Sequence, residues 1–386
     1  MLSALAIGNY RSLRDVVMPL GQLTLVTGAN GSGKSNLYRA LRLVADVAQG
    51  RAIGSLAREG GMPSVVWAGP EEISRQMRRG AVPVQGGPRK HRVALRMGFA
   101  DDELSYTVEL GYGTRGGMFS LDPEVKRESI FRGAKYSRRT AMVERTATLL
   151  EARDDEGAWQ VVSNEVDSDE SMLTWAGDPR STPEVFAMRR RLQSWRFYDH
   201  FRSDRDAPAR RMEIGTRTTA LAADGSDLPA AIATIQQIGD PVALAAAVEA
   251  AFPGATLDVE DVGGRFRLHF HQPGLLRALD QAELSDGTLR YLLWLAALHT
   301  PRPPPLMILN EPETSLHTDL LPALGDLIVD AATRGQVWVV SHAPSLIAAL
   351  QRSRACETVH LYKELGQTLV RDQTHLSRPA WTWPKR

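Results

Sequence analysis

Residues 28–36 have the composition and spacing of a loop that binds phosphate. Gly28 is followed by four residues and then by Gly33, Lys34 and Ser35, which is the spacing of the phosphate-binding loop. Glycines allow the tight turn that directs several backbone N–H groups at phosphate oxygens. Lys34 can reach the β- and γ-phosphates of a nucleotide, and the Ser35 hydroxyl can bind Mg²⁺. The loop therefore predicts a nucleoside triphosphate site.

The segments around this loop are those that a phosphate site needs. The apolar run 23–27 predicts a strand before the loop, and 37–44 predicts a helix after it. The N-terminal end of such a helix carries positive partial charge toward a bound anion. A glycine-rich turn with a chance Lys-Ser pair is the alternative, and the strand–loop–helix order argues against it. We expect the nucleotide to contact Asn30, Gly31, Ser32, Gly33, Lys34, Ser35 and Asn36.

Polar residues also follow two later apolar runs that predict strands. Asn310 and Glu311 come directly after 306–309, and His342 follows the run that ends at Val340. Doubly wound sheets bind ligands at the carboxyl ends of their strands. Glu311 can orient or deprotonate the water that attacks a γ-phosphate, and His342 can hydrogen-bond to that phosphate or water. A single histidine after a strand is ordinarily structural, but its position after the other motifs favours a functional role.

A further anion-binding geometry is predicted at Ser285 and Gly287, which precede a helix-like run to about residue 298. The N-terminus of a helix can bind phosphate through its backbone N–H groups. A helix cap alone would explain the serine. Because the other motifs accompany it, we favour the phosphate role for Ser285 and for the backbone of Gly287.

Two sets of arginines have open interpretations. Arg11 is either a solvated turn residue or a cation near the nucleotide phosphates.

Residues 184–214 interleave arginines with aromatic side chains, a pattern that can bind DNA by stacking and phosphate contacts. The structural alternative is that the aromatic side chains pack while the guanidinium groups stay in water, and we favour it. The arginines of this stretch are Arg189, Arg190, Arg191, Arg196, Arg202, Arg205, Arg210 and Arg211.

The chain divides by pattern into four regions. Residues 1–90 contain the phosphate loop, and 91–218 begin with period-two runs that predict antiparallel strands. Residues 219–365 contain two alanine-rich helical stretches and then the second set of motifs. Residues 366–386 form a tail, in which we expect Trp381 and Trp383 to pack back onto the domain.

Composition limits the class of protein. The net charge of the 386 residues is +1, so any surface for nucleic acid must be local. The single cysteine, Cys356, excludes an internal disulfide framework and fits a reducing compartment. No apolar run is long enough to span a bilayer, and the N-terminus reads as a strand rather than a signal peptide. We therefore expect a cytoplasmic protein without a membrane partner.

The order of these motifs resembles the ABC-type ATPase heads of the RecF, SMC and OLD group, and in particular the stand-alone, RecF-like AAA family ATPases. The corresponding family motifs are Walker A at 28–36, the signature at 284–288, Walker B at 306–311, the D-loop at 314–317 and the switch histidine at 341–342. Residues 9–13 resemble the opening strand and turn of this group. The resemblance implies an α/β P-loop NTPase of the ABC-ATPase head type, with an antiparallel β-rich subdomain and a helical signature region.

The resemblance also implies a mechanism. ATP and Mg²⁺ bind between two subunits that face head to tail, so that one Walker A loop and the partner's Ser285–Gly287 segment hold the same nucleotide. Because the chain has one Walker A loop, two chains are needed, most simply a homodimer with two-fold symmetry. ATP binding closes such a dimer and hydrolysis opens it. Glu311, His342 and Lys34 are the expected catalytic residues, and Ser35 and Asn310 the expected metal-binding residues.

This chain departs from the family pattern at three places. Asn310 replaces the Walker B aspartate that holds Mg²⁺ through water, so we expect weaker Mg²⁺ binding and slow hydrolysis. Asp286 stands where transporter ATPases have glycine, as is common in the RecF-like branch. The glutamine of the Q-loop has no counterpart near residues 67–69.

The biological role is less specific than the fold. The chain lacks a long heptad region, and the stretch after His342 is expected to be too short for the Toprim nuclease domain of OLD proteins. The leading hypothesis is an ATP-driven dimerisation switch in DNA repair, DNA metabolism or anti-phage defence, with a separately encoded effector. The alternatives are a weakly or non-hydrolysing ATP-gated scaffold and, less favoured, the ATP-binding subunit of a transporter.

Overall fold

The computed structural model describes residues 1–87, 90–113, 118–119, 121–176 and 178–384. The chain forms two compact units. The first unit contains residues 1–21, 27–194 and 359–386, and the second contains 22–26 and 195–358. The divisions predicted at 90, 218 and 365 stay predictions. Residues 385–386 of the predicted tail lie outside the described part of the chain.

The strands form an antiparallel sheet in the first unit and parallel strands in the second. In chain order they are β1 (Leu2–Tyr10), β2 (Leu13–Pro19), β3 (Leu23–Gly28), β4 (Ala94–Asp101), β5 (Ser105–Tyr112), β6 (Pro123–Phe131), β7 (Ala141–Thr146), β8 (Leu149–Arg153), β9 (Trp159–Ser163), β10 (Arg196–Tyr198), β11 (Glu213–Ile214), β12 (Thr256–Val262), β13 (Arg265–His271), β14 (Leu279–Asp280), β15 (Leu306–Asn310), β16 (Gln336–Val340), β17 (Cys356–Glu364) and β18 (Gln367–Val370).

The helices, in chain order, are α1 (Lys34–Val47), α2 (Ala52–Arg58), α3 (Gly61–Val65), α4 (Arg75–Arg78), α5 (Met172–Trp175), α6 (Pro183–Gln193), α7 (Leu228–Ile238), α8 (Pro241–Ala251), α9 (Asp286–Leu298), α10 (Leu321–Arg334) and α11 (Pro344–Gln351). Helices α1 to α6 lie in the first unit and α7 to α11 in the second. Short 3₁₀ turns lie at Pro208–Arg210 and Thr318–Leu320.

The first unit is built on an antiparallel sheet in the order β2-β1-β4-β5-β6-β7-β8-β9. The period-two runs thus form antiparallel strands as predicted, and they continue the N-terminal hairpin, since β4 pairs with β1. Near the middle of the sheet, Arg145 and Glu128 form an ion pair at 3.2 Å, and both side chains are fully buried. Because Glu128 also accepts hydrogen bonds from Tyr106 and Ser171, the buried charges are hydrogen-bonded.

The second unit contains parallel strands in the order β10-β15-β16-β3. Strands β15 and β16 are apolar runs because parallel strands are covered on both faces. Helix α9 is buried from Leu289 to Leu298, a stretch that is apolar on every side except at Arg290. Strand β3 ends at Gly28, where the phosphate loop begins.

The C-terminal segment packs against the sheet of the first unit. The rings of Trp381 and Phe131 are 5.9 Å apart, and Thr382 forms a bridge with Lys135. A Cβ atom on Gly98 would lie 2.7 Å from the Trp381 ring, so the glycine leaves room for the indole. The predicted packing of the tail tryptophan is confirmed. No helix in the described ranges is long and apolar enough to cross a membrane.

Candidate active site

The phosphate loop connects β3 to α1, and its shape depends on glycine. Gly33 precedes the first residue of α1 and has a φ of 110°, which favours a residue without a side chain. A Cβ atom on Gly33 would lie 2.1 Å from the Thr368 Oγ1 atom, so no larger residue fits there. The Ser32 hydroxyl is buried and has no hydrogen-bond partner within the described residues, as expected for a donor directed at a ligand.

A chain of hydrogen bonds holds the loop in place within the first unit. Asn36 Nδ2 donates to Ser12 Oγ at 2.9 Å, and Thr368 Oγ1 donates to the Ser32 carbonyl at 2.7 Å. The Ser12 and Thr368 hydroxyls are 2.8 Å apart. Because the Thr368 proton is used on Ser32, Ser12 is the donor between these two hydroxyls. Ser12 and Thr368 thus position the loop, and the sequence did not identify either of them.

The lysine of the loop makes hydrogen bonds to the loop itself. Lys34 Nζ donates to the carbonyls of Gly28 at 2.6 Å and Ala29 at 3.2 Å, and the lysine is buried. Ser35, Asn30 and Gly31 are exposed. The loop therefore has three features of a site for a nucleotide phosphate with its Mg²⁺. These are the buried Ser32 hydroxyl, the backbone N–H groups of the loop and the exposed Ser35.

Arg11 is directed at a carboxylate of its own unit. Its Nη2 and Nε atoms donate to Glu59 Oε2 at 2.8 and 3.1 Å, and the Tyr10 hydroxyl donates to the same oxygen at 2.7 Å. Burial and the bond to Glu59 raise the pKa of Tyr10, so its proton stays in place at neutral pH. The predicted role of Arg11 toward the phosphates stays a prediction.

In the second unit, Glu311 follows β15 directly in a strained backbone conformation. Its φ is 50°, in the left-handed region that glutamate rarely adopts. Its backbone N–H donates to the Val340 carbonyl at 2.8 Å, which ties it to the end of β16. Its side chain is 41% exposed. A strained residue held in place by the neighbouring strand is typical of active sites.

Glu313 organises the end of β16. Its Oε1 atom accepts hydrogen bonds from the Ser341 hydroxyl at 2.8 Å, the His342 N–H at 2.9 Å and the Ala343 N–H at 3.2 Å. Its Oε2 atom is buried and has no partner within the described residues. The sequence motifs alone indicated no role for Glu313. The available signal was a second glutamate two residues after Glu311, at the end of an apolar strand.

The structure brings together His342 and Glu311, each of which follows a strand. His342 Nδ1 lies 3.7 Å from Glu311 Oε1 and 3.3 Å from Glu313 Oε1. The imidazole is 53% exposed, so its second ring nitrogen can reach solvent or a ligand. An acid of this kind, beside a histidine, can accept a proton from water.

Ser285 is the N-cap of α9. Its Oγ accepts a hydrogen bond from the Thr288 N–H at 3.2 Å. This is the helix-cap role that was the alternative to phosphate binding. Gly287 lies at the same helix end, where a Cβ atom would be 3.8 Å from the Ser315 carbonyl oxygen. The phosphate role of Ser285 and Gly287 stays a prediction.

Arg210 holds the segment before α9. Its Nη2 atom donates to Asp286 Oδ1 at 2.7 Å and to the Ser203 carbonyl at 2.8 Å. Its Nη1 atom donates to the Leu284 carbonyl at 2.8 Å. The contact gives Asp286 a partner within the unit. The signature segment is therefore held by a guanidinium fork.

Asn310, the last residue of β15, lies next to a carboxylate. Its Nδ2 atom is 3.5 Å from Asp199 Oδ1, and Asp199 follows the neighbouring strand β10. Within the described residues no group of three or more His, Cys, Asp or Glu side chains could hold a metal ion. Mg²⁺ at nucleotide sites needs only one or two protein ligands besides phosphates and water.

Several arginines of the basic stretch are paired with acids. Arg191 donates to Asp101 at 2.7 and 2.5 Å, and Arg202 donates to Asp204 at 2.9 and 2.7 Å. Arg210 makes the contacts already given. Such pairing favours the structural interpretation of these three arginines, and DNA binding stays a prediction.

The phosphate loop between strand β3 and helix α1 is typical of a P-loop nucleotide-binding protein. Two solved structures share the fold at 13% sequence identity. An SMC head bound to the C-winged helix domain of ScpA gives a TM-score of 0.51, with 96% of each chain covered. An SMC head with an extended coiled coil, bound to the C-terminal domain of ScpA from Pyrococcus furiosus, gives 0.50, with 96% of this chain and 95% of that chain covered.

The chain belongs to the family described as "AAA domain, putative AbiEii toxin, Type IV TA system", whose model matches residues 23–348. Its fold is similar to that of the SMC heads. A relative with local similarity is the OLD nuclease of Thermus scotoductus, 48% identical over 44 residues. That match covers 11% of this chain and 8% of the nuclease.

Proposed function

We propose that this chain hydrolyses ATP, with Glu311 as the general base for the attacking water. The observation that carries the proposal is the strained Glu311 backbone beside His342, whose Nδ1 atom is 3.7 Å from the carboxylate. Proton acceptance by a positioned carboxylate contributes about 10²- to 10⁴-fold to such a reaction. The family assignment supplies the ATPase class.

The chain's other residues have separate tasks in this proposal. Lys34 leaves the Gly28 and Ala29 carbonyls and binds the β- and γ-phosphates, while the Ser32 hydroxyl finds its missing partner there. Ser35 and Asn310 hold Mg²⁺, which neutralises phosphate charge when bound. His342 hydrogen-bonds the γ-phosphate or the attacking water, and Glu313 fixes the backbone from which His342 projects.

We further propose that ATP binding closes a homodimer. Two features support the arrangement: the single Walker A loop and the start of helix α9 at Ser285 and Gly287. Each can bind the nucleotide phosphates from one side of a site shared by two subunits. Arg210 keeps the signature segment in shape. ScpA domains bind the two SMC heads of similar fold, which supports a separately encoded effector here. DNA repair, DNA metabolism and anti-phage defence are the candidate settings.

A second candidate is a scaffold that binds ATP but barely hydrolyses it. The observation that favours it is Asn310, which gives Mg²⁺ an amide oxygen where a carboxylate is usual. In this case closure of the dimer by ATP, rather than turnover, would control the effector.

The dimerisation switch is tested by Lys34→Ala. Light scattering with and without Mg·ATP measures the mass of the particle. We expect wild type and the exposed-lysine control Lys363→Ala to double in mass with ATP, and Lys34→Ala to stay monomeric. A Lys34→Ala protein that dimerises as well as wild type would contradict the shared nucleotide site.

A further inference from the structure

We propose that Arg290 is a positioning residue for Glu311, because its guanidinium holds the turn from which the proposed catalytic base projects. This inference rests on the proposed hydrolysis of ATP by Glu311 and deepens it. Arg290 lies in helix α9, shortly after the Ser285 cap, and outside the motifs identified in the sequence.

Arg290 is a cation in the interior of the second unit. The residue is only 5% exposed, and burial lowers the pKa of its guanidinium, which stays protonated at neutral pH. Within the described part of the chain its hydrogen bonds go to main-chain carbonyls, and no carboxylate forms an ion pair with it. A buried charge is costly unless it is hydrogen-bonded. The carbonyls that it contacts are therefore what holds the guanidinium in this place.

The guanidinium joins the core of the unit to a loop. Its Nε atom donates to the Phe201 carbonyl at 3.1 Å. The Phe201 ring packs edge-on against Trp294 of the same helix, with ring centroids 4.8 Å apart. Its Nη1 atom donates to the Thr314 carbonyl at 3.1 Å. Because Phe201 is packed in the core, the first bond anchors the guanidinium, and the second holds the Thr314 carbonyl.

Thr314 closes the turn that begins at Glu311. Its backbone N–H donates to the Glu311 carbonyl at 3.0 Å, and the Glu311 N–H donates to the Val340 carbonyl at 2.8 Å. The turn is strained, since Glu311 has a φ of 50° and Ser315, directly after Thr314, has a φ of 59°. Strained residues of this kind persist only where surrounding contacts hold them. Arg290 supplies one of the contacts that hold this turn.

A displaced carboxylate is a poor general base. A catalytic group that is misplaced by about 1 Å can cost about a hundredfold in rate. Without Arg290 the Thr314 carbonyl loses its donor, so the turn relaxes and Glu311 no longer meets the attacking water in one geometry. The loss falls on the chemical step. ATP affinity depends on the phosphate loop, which belongs to the first unit, and should change little.

The test is a double-variant cycle on single-turnover ATP hydrolysis at saturating ATP. Arg290→Met removes both hydrogen bonds, and we expect it to lower the rate about tenfold or more. Its Kd for ATP should stay within about threefold of wild type. Arg290→Met/Glu311→Gln should react within about threefold of the rate of Glu311→Gln alone, because the arginine acts through a carboxylate that this protein no longer has.

Arg334→Met is the matched control. Arg334 also donates to main-chain carbonyls of the second unit, at 2.8 Å to Leu298 and at 3.4 Å to Thr300. It lies just before β16 begins, at the opposite end of these strands from Glu311. Its rate and ATP affinity should therefore stay within about threefold of wild type.

A second variant keeps the test valid if Arg290→Met does not fold, which circular dichroism verifies. Arg290→Lys keeps the charge but lacks the planar fork that reaches two carbonyls. We expect it to slow hydrolysis about threefold or more, again with unchanged ATP affinity.

Two results would overturn the inference while leaving hydrolysis by Glu311 intact. One is a wild-type rate in Arg290→Met. The other is an Arg290→Met change that slows the Glu311→Gln protein by the same factor as wild type, which would make Arg290 a structural residue that does not act through Glu311. A wild type that binds ATP but reacts no faster than Glu311→Gln would instead overturn both the proposed function and this inference.

Discussion

Glu313 Oε1 accepts a hydrogen bond from the Ser341 hydroxyl at 2.8 Å, and through it the residues after β15 are joined to the residues after β16. The same oxygen accepts the His342 N–H. A buried carboxylate therefore fixes the loop that carries the histidine. The position of His342 relative to Glu311 depends on this bond, since both residues lie outside the regular strands.

Removing the Glu313 side chain should destabilise the protein. In Glu313→Ala three donors lose their acceptor, and an unsatisfied buried donor costs about 1–3 kcal/mol. We expect a fall of about 2–4 kcal/mol in the free energy of unfolding. Glu313→Gln keeps an acceptor oxygen and should lose about 1 kcal/mol or less. Chemical denaturation measures both, and equal losses in the two variants would contradict the acceptor role.

Thr368 should control nucleotide affinity through the Ser32 carbonyl. Thr368→Val keeps the shape but leaves that carbonyl and the Ser12 hydroxyl without their bonds. We expect ATP affinity to fall about tenfold, because the loop is less ordered before binding. Thr368→Ser keeps the hydroxyl and should stay within about threefold. Titration with a fluorescent ATP analogue distinguishes the variants, and unchanged affinity in Thr368→Val would exclude the role.

Arg210 should matter for ATP-driven dimerisation but not for nucleotide binding by the monomer. In Arg210→Lys the flat guanidinium fork is lost, so one ammonium cannot hold Ser203, Leu284 and Asp286 together. We expect the dimer to weaken about tenfold in the presence of ATP. Sedimentation measures this, with the exposed pair variant Arg202→Lys as control. If Arg210→Lys and Arg202→Lys have the same dimer affinity in the presence of ATP, Arg210 has no positioning role.

Stability should fall as the pH is lowered past 6.5, in part through His299. Burial, and then the nearby Arg334, lower the pKa of His299 from 6.5. The unfolded chain therefore binds a proton in a pH range where the folded chain does not, and folding loses stability as the pH falls through the unfolded pKa. Denaturation of wild type and His299→Gln from pH 8 to about pH 5 measures this contribution. If the free energy of unfolding changes with pH as steeply in His299→Gln as in wild type, His299 makes no such contribution.

The phosphate loop could be predicted because its geometry is encoded locally. Gly28, Gly33, Lys34 and Ser35 lie within one turn between a strand and a helix, and the glycine conformations follow from their types. Glu311 and His342 could be predicted to meet, because the carboxyl ends of neighbouring parallel strands lie at one edge of a sheet.

The residues that support the site could not be predicted in the same way. Thr368 contacts Ser32 across 336 positions of the chain, and Asp199 contacts Asn310 across 111. Neither has a local pattern, since a threonine within a strand and an aspartate directly after one are both common. Only the arrangement of the strands reveals these partners. The sequence pattern does not show, for example, that β10 lies beside β15 in the sheet.

The most direct measurement is steady-state ATP turnover of wild type beside Glu311→Gln, with ATP binding measured on the same samples. The account predicts that Glu311→Gln binds ATP as wild type does but turns it over at least about a hundredfold more slowly. The exposed-acid control Glu357→Gln should match wild type. A wild type that binds ATP and is no faster than Glu311→Gln would contradict hydrolysis and leave the ATP-gated scaffold.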